Sequence, residues 1–191
     1  MIYIMRHGQT GMNKIKALQG RSDLPLTEIG VEQAEAAGAW FRGQGVSFSK
    51  VYSSPLNRAI HTAKLAAGEE VEVITDDRLI EMDYGPYEGT DLKNPPPEII
   101  TFFSDFVHNP APEGMEQLSE VVKRAGNFME ELRRERPEGD ILISTHAILM
   151  KGILECLTPE SGGSYWSKYI ANCSVYATEF TEDGYTVPVE V

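Results

Sequence analysis

Cysteine is scarce in this sequence. Its two residues, Cys156 and Cys173, are too few for a disulfide scaffold and are expected to be reduced and buried. No apolar run approaches the length that crosses a membrane. The chain opens on a strand-like run in place of a charged region with a cleavage site, so the expected location is cytoplasmic. Positive charge is also in short supply. Lys and Arg number 17 against 29 Asp and Glu, a net charge of −12. Such a surface repels nucleic acid and anionic membranes. The Gly-rich phosphate loop of NTPases and the dinucleotide fingerprint are absent, as is the Gly-x-Ser-x-Gly elbow. None of the four histidines falls in His-Glu-x-x-His or a similar paired spacing, which argues against a metal site.

What is present is an ordinary globular composition, 41% hydrophobic and 24% charged over 191 residues. That suits one domain over 1–191 with a sizeable core. Ile2, Tyr3, Ile4 and Met5 form a short β-prone run. Arg6, His7 and Gly8 stand where it must end: a forked cation, a titratable nitrogen nucleophile, and a residue that turns sharply or lets backbone approach a ligand. By itself the tripeptide fits a strand end with a solvated Arg and a packed His better than it fits a site. The following Thr10-Gly11-Met12-Asn13 has loop chemistry, and its hydroxyl and amide would suit an oxyanion.

Further on, Thr27 is an N-cap for a helix to about Arg42. Lys50 to Ser54 gives a second strand. Pro55 opens a helix that places Arg58 in its first turn, where a cation opposes the helix dipole unless an anion sits there too. Glu81 lies among apolar residues before a Gly/Pro/aromatic loop, a setting that suits a general acid, with Asp83 and Glu88 as rival carboxylates. Residues 86–113 change character. Prolines bracket an apolar stretch around Ile99, Phe102, Phe103 and Phe106, which predicts a short helix inserted as a cap or lid, with plain core packing as the competing reading. From about Gly114 a long helix with a one-sided apolar stripe runs to Arg136. Asp140 to Ser144 is a buried strand followed at once by Thr145-His146 and another helix. Ser174 to Phe180 alternates as a strand, and Tyr185 to Val189 offers a hairpin partner.

Three strand-like runs thus lead into polar residues at Arg6-His7, ahead of Arg58, and at Thr145-His146. Ligands in open α/β sheets bind beyond the carboxyl ends of the strands. If these three strands are parallel and adjacent, Arg6, His7, Arg58 and His146 converge into a pocket for a dianion, most simply a phosphoryl group. In a surface this acidic, that pocket must be a small local concentration of cations.

These residues carry a resemblance. Arg6-His7-Gly8-Gln9-Thr10 with Asn13 resembles the signature of the histidine phosphatase superfamily, which includes the cofactor-dependent phosphoglycerate mutases. Gln19-Gly20, Ser53-Ser54-Pro55-Leu56 with Arg58-Ala59 and Thr62-Ala63, Glu81 with Tyr84-Gly85 and Glu88-Gly89, Ser144-Thr145-His146 and Asn172-Cys173-Ser174 agree in order and spacing. The resemblance implies a three-layer α/β/α sandwich with a mostly parallel central sheet and a small inserted cap at about 86–113. It implies His7 as the nucleophile that becomes phosphohistidine. Arg6, Arg58 and His146 would hold the phosphoryl group, and Glu81 would be the proton donor and later the base. Asn13, Thr10 and Gln19 would line the phosphate pocket. Gly8 would be the turn that brings backbone to the phosphate. The implied partner is a small phosphomonoester, with no metal or organic cofactor. Nothing in the sequence sets an oligomeric state.

Two positions depart from the family pattern. Ala147 stands where Gly often follows the second histidine. Pro112-Glu113-Gly114-Met115-Glu116 replaces the common Gly-Gly-Glu-Ser, a region that often contributes to substrate selection. The leading expectation is a phosphomonoester phosphatase. Residues 86–113 hold one basic residue, Lys93, which fits a less charged substrate better than a bisphosphoglycerate. A phosphoglycerate mutase is the second reading, and an inactive phosphate- or protein-binding member the third.

Overall fold

The computed structural model describes residues 1–191. Its core is a six-stranded mixed sheet, mostly parallel, flanked by helices. The strands are β1 (Ile2–Arg6), β2 (Phe48–Ser53), β3 (Val73–Thr75), β4 (Asp140–Thr145), β5 (Val175–Thr178) and β6 (Val189–Glu190). Their order across the sheet is β3-β2-β4-β1-β5-β6. The β3, β2, β4 and β1 strands run parallel, while β5 and β6 close one edge antiparallel. The three strands expected to be adjacent and parallel are so, in the order β2-β4-β1. Their ends are in register, Arg6 opposite Thr145 and Ser53 opposite Ser144.

Alternation along the strands sorts side chains to two faces. Ile2, Ile4, Tyr52, Ile141 and Ile143 enter a large core on one side. Tyr3, Met5, Val51 and Leu142 enter a smaller one on the other. The smaller core is covered by α2 (Glu28–Gly43) and α3 (Asn57–Ala67), which pack on each other. The larger is covered by α5 (Leu118–Glu135) and α6 (Ala147–Leu157). Because both faces are covered, the central strands read as apolar runs with little polar alternation. The remaining helices are α1 (Gly11–Ile15), α4 (Pro97–Ser104) and α7 (Ser164–Ser167). No helix is long and apolar enough to cross a membrane.

Several expectations shift. The 10–13 stretch is not a loop: Thr10 and Asn13 form a reciprocal capping box that starts α1. The α3 helix begins at Asn57, two residues after Pro55, and the Asp23 carboxylate accepts from its first backbone N–H at 2.9 Å. That is the anion which the Arg58 position called for. The long helix begins at Leu118, not Gly114, because Gly114 has a positive φ of 88°. The Gln117 side chain clasps both backbone groups of Ala111 instead. Ser174 to Phe180 shortens to β5, while its expected hairpin with Tyr185 to Val189 is present, through a Phe180–Tyr185 bridge and the pairing of Ala177 with Val189, and runs on to Glu190 in β6. The two cysteines are free and half-buried, not fully buried.

Candidate active site

The β1 strand ends by delivering His7 into the interior with only 3% of its surface exposed. Its Nδ1 lies 2.7 Å from the carbonyl oxygen of Gly8. A carbonyl only accepts, so Nδ1 carries the proton and the lone pair is on Nε2. Arg58 Nε donates to that lone pair at 3.3 Å. Burial first, and then the charges of Arg6 and Arg58, hold the His7 imidazole well below its ordinary pKa. The ring is therefore a neutral imidazole with a defined nucleophilic atom.

Arg58 has no exposed surface. Its guanidinium donates to the carbonyls of Gly20 at 2.6 Å and Ser22 at 2.7 Å. The loop supplying those carbonyls is latched by Glu88, which accepts from the backbone of Gly20 and Ser22 and from the Ser22 hydroxyl. Glu88, a rival carboxylate in the sequence, thus holds the loop that holds Arg58. Asp83 pairs with Arg21 at 3.2 Å on the surface.

His146 follows β4 with no exposed surface, its ring centroid 5.0 Å from that of His7. Its Nε2 is 2.7 Å from the Ser54 hydroxyl, while its Nδ1 is buried without a partner. Arg6 repeats the pattern. One terminal nitrogen donates to Ile170 O at 2.5 Å, and Nε is buried without a partner. Buried polar nitrogens almost always find hydrogen bonds. Two orphans on residues that flank one histidine mark a place prepared for acceptor atoms that a ligand brings. Burial, then the charges of Arg58, His7 and Arg6, keeps the His146 pKa well below its usual value.

The carboxylate of Glu81, 4% exposed, sits on the N-terminus of α6. It accepts from the backbone N–H groups of Ile148 at 3.2 Å and Leu149 at 3.1 Å, and from Met82 at 2.9 Å. These satisfy first-turn donors that a helix leaves unpaired. A carboxylate has about four acceptor positions, so capping leaves capacity for a ligand atom.

These groups border a cavity of about 590 Å³ whose wall includes Arg6, His7, Asn13, Gln19 and Glu81. Arg58, on the Nε2 side of His7, and His146 touch its ring but are not among the residues that line this cavity. Thr10 is also set back, correcting its expected place in the pocket lining. Fully buried, it caps α1 and donates to Gln19 Oε1 at 2.5 Å, which orients the Gln19 amide. Gly8 also has a packing role. A Cβ there would collide with the Gly30 carbonyl. The missing side chain lets the chain leaving β1 run against α2. Residues 103–107, after the buried Ile99 and Phe102 of α4, supply another part of the wall.

Some site groups were not assigned a role from the sequence, although Thr62 and Asn172 stand in segments that match the family pattern. The Asn172 amide donates to His7 O at 3.0 Å and to Asn13 Oδ1 at 3.1 Å. The Thr62 hydroxyl accepts from Gly8 N–H at 3.0 Å. Lys151 lines the cavity four residues after Ala147, and that helical spacing from a strand end was the available clue. No group of three or more His, Cys, Asp or Glu side chains gathers as a metal site.

Comparison with known proteins agrees with this geometry. The family model of the histidine phosphatase superfamily (branch 1) matches residues 2–189. The chain is 30% identical over 187 residues to the probable phosphoglycerate mutase GpmB of Yersinia pestis, covering 95% of this chain and 85% of that one. It is 28% identical over 177 residues to phosphoserine phosphatase 1 of Hydrogenobacter thermophilus, covering 91% and 83%. The solved phosphoserine phosphatase of Entamoeba histolytica in complex with 3-phosphoglyceric acid superposes with a TM-score of 0.83. It is 25% identical, with coverage of 99% of this chain and 93% of that one.

Proposed function

Since the chain belongs to the histidine phosphatase superfamily, we propose that it hydrolyses a small phosphomonoester through a phosphohistidine at His7. The observation that carries this reading is the pairing of a neutral His7, its lone pair on Nε2, with orphaned nitrogens on Arg6 and His146. In the first step the phosphate oxygens take up the Arg6 Nε–H and a His146 Nδ1–H, and Arg58 Nε–H turns from His7 to a phosphate oxygen. His7 Nε2 attacks phosphorus, the bond to the leaving oxygen breaks, and Glu81 gives that oxygen its proton. In the second step Glu81 takes a proton from water, the oxygen attacks phosphorus, and the P–N electron pair returns to Nε2. Charge neutralisation and positioning do most of the work in such transfers, and a covalent intermediate divides one difficult displacement into two. Residues 86–113 act as the cap, contributing Phe103–Val107 over the leaving group.

A phosphoglycerate mutase is the second reading, favoured by the similarity to GpmB. A phosphomonoester panel run beside a mutase assay with 3-phosphoglycerate and 2,3-bisphosphoglycerate separates the two. Hydrolysis without isomerisation is expected, and efficient isomerisation overturns it. Alkaline quench should trap a phosphoenzyme that is acid-labile, and His7→Ala should abolish it while lowering kcat by about 10⁴-fold or more. Normal labelling in His7→Ala would remove His7 as the nucleophile.

A further inference from the structure

Positive charge in the cavity does not come from residues 86–113, whose one basic residue, Lys93, is not in its wall. It comes from α6. Ala147, Ile148 and Lys151 all line the cavity, as the i, i+1, i+4 face of a helix must. Lys151 stands one turn beyond the N-terminus that Glu81 caps, about 6 Å along the axis. It therefore lies past the proposed proton donor, on the leaving-group side of the phosphate site. Its ammonium has three donors. One goes to Trp166 O at 2.8 Å, and the charge lies 5.4 Å from the centre of the Phe106 ring. No carboxylate forms a salt bridge with it: the Glu81 charge acts on it only at longer range, and Asp105, also on the wall, accepts from His108. The remaining cavity cations are Arg6 and Lys168, the latter's ammonium over the rings of Tyr165 and Tyr176. A half-buried, unpaired ammonium with spare donors beside aromatic walls is a binding point for an anion.

We propose that Lys151 binds a carboxylate on the leaving-alcohol part of the substrate, so that the preferred substrates are phosphorylated hydroxy acids. This rests on the phosphatase reading of the same site. The protein's overall charge of −12 disfavours any extra negative charge on a substrate, so a preference for the carboxylate has to be local. Desolvation has lowered the Lys151 pKa to about 8, which gives the interaction a pH signature.

The test compares 3-phosphoglycerate and 4-(phosphonooxy)butanoate, each against its own carboxamide, with p-nitrophenyl phosphate as a general probe. The wild type should prefer each acid to its amide in kcat/KM. That ratio should fall by about 10–100-fold in Lys151→Met, the range for a charge-assisted hydrogen bond, and be partly restored in Lys151→Arg. In the wild type the ratio should also decline as pH rises through about 8, because the ammonium loses its charge, and this measurement needs no variant to fold. A wild-type ratio near one for both pairs, or an unchanged ratio in Lys151→Met, overturns the proposal while hydrolysis of p-nitrophenyl phosphate leaves the phosphatase reading standing. An equal fall on acid and amide assigns Lys151 only to holding Trp166 and also overturns it. No hydrolysis of any phosphomonoester overturns the phosphatase reading itself.

Discussion

The state of two buried histidines governs both chemistry and stability at the residue scale. His7 and His146 are held well below their ordinary pKa, mainly by burial. The folded state thus excludes protons that the unfolded chain binds below about pH 6.5. Their stabilising contribution is present in full above that pH and is lost as pH falls through and below it. Each contributes a slope of up to about 1.4 kcal/mol per pH unit in that window. Urea denaturation between pH 7 and 5 should show this decline, and His146→Gln should make it shallower; an unchanged slope would mean that His146 does not titrate in this way. Glu81 is tested by leaving group. With Glu81→Gln, alkyl phosphates should slow by about 10²–10⁴-fold and p-nitrophenyl phosphate far less. Equal slowing would leave Glu81 as a helix cap alone.

Among the elements, α1 and the 20–22 loop turn local chemistry into site geometry. Thr10 caps α1 and orients Gln19 with the same hydroxyl. Thr10→Ala should cost about 1 kcal/mol, near 2–4 °C in Tm, and raise KM as Gln19 loses its partner. A lower Tm with unchanged KM would confine Thr10 to capping. The element scale is also where sequence and structure diverge most. The strands and the α2, α3, α5 and α6 helices were legible from periodicity, because each buries one face or both against a neighbour. The capping box of α1 was not, since Thr-Gly-Met-Asn suits a loop as well as a five-residue helix whose stability depends on its contacts. The start of α5 was missed because good helix formers lie ahead of it, and the conformation at Gly114 overrides them.

The whole molecule sets a cationic pocket in an acidic body. Long-range repulsion of a dianionic substrate is screened by salt over about 10 Å at 0.1 M, whereas contacts inside the proposed buried site are screened less. Raising ionic strength from 20 to 150 mM should therefore increase kcat/KM for a dianionic phosphomonoester, by about 2-fold. A steep fall would show that exposed cations steer the substrate. The sheet order matters at this scale as well. Arg6, His7, Arg58 and His146 are up to 140 residues apart along the chain and meet only because β2, β4 and β1 are parallel neighbours ending in register.

The sequence by itself determined the family resemblance, the α/β layering and the identities of the residues around His7. These are written in strand-end residue types and hydrophobic period, which local chemistry imposes. Tertiary structure alone decided the rest. It brought Arg58 onto Nε2 of His7 and His146 against its ring, and set Glu81 on the α6 N-terminus. It made Gly8 a contact with Gly30, and turned Lys151 into the cavity wall. Each depends on which backbone N–H, carbonyl or empty volume lies opposite a side chain, and that partner comes from a distant part of the chain.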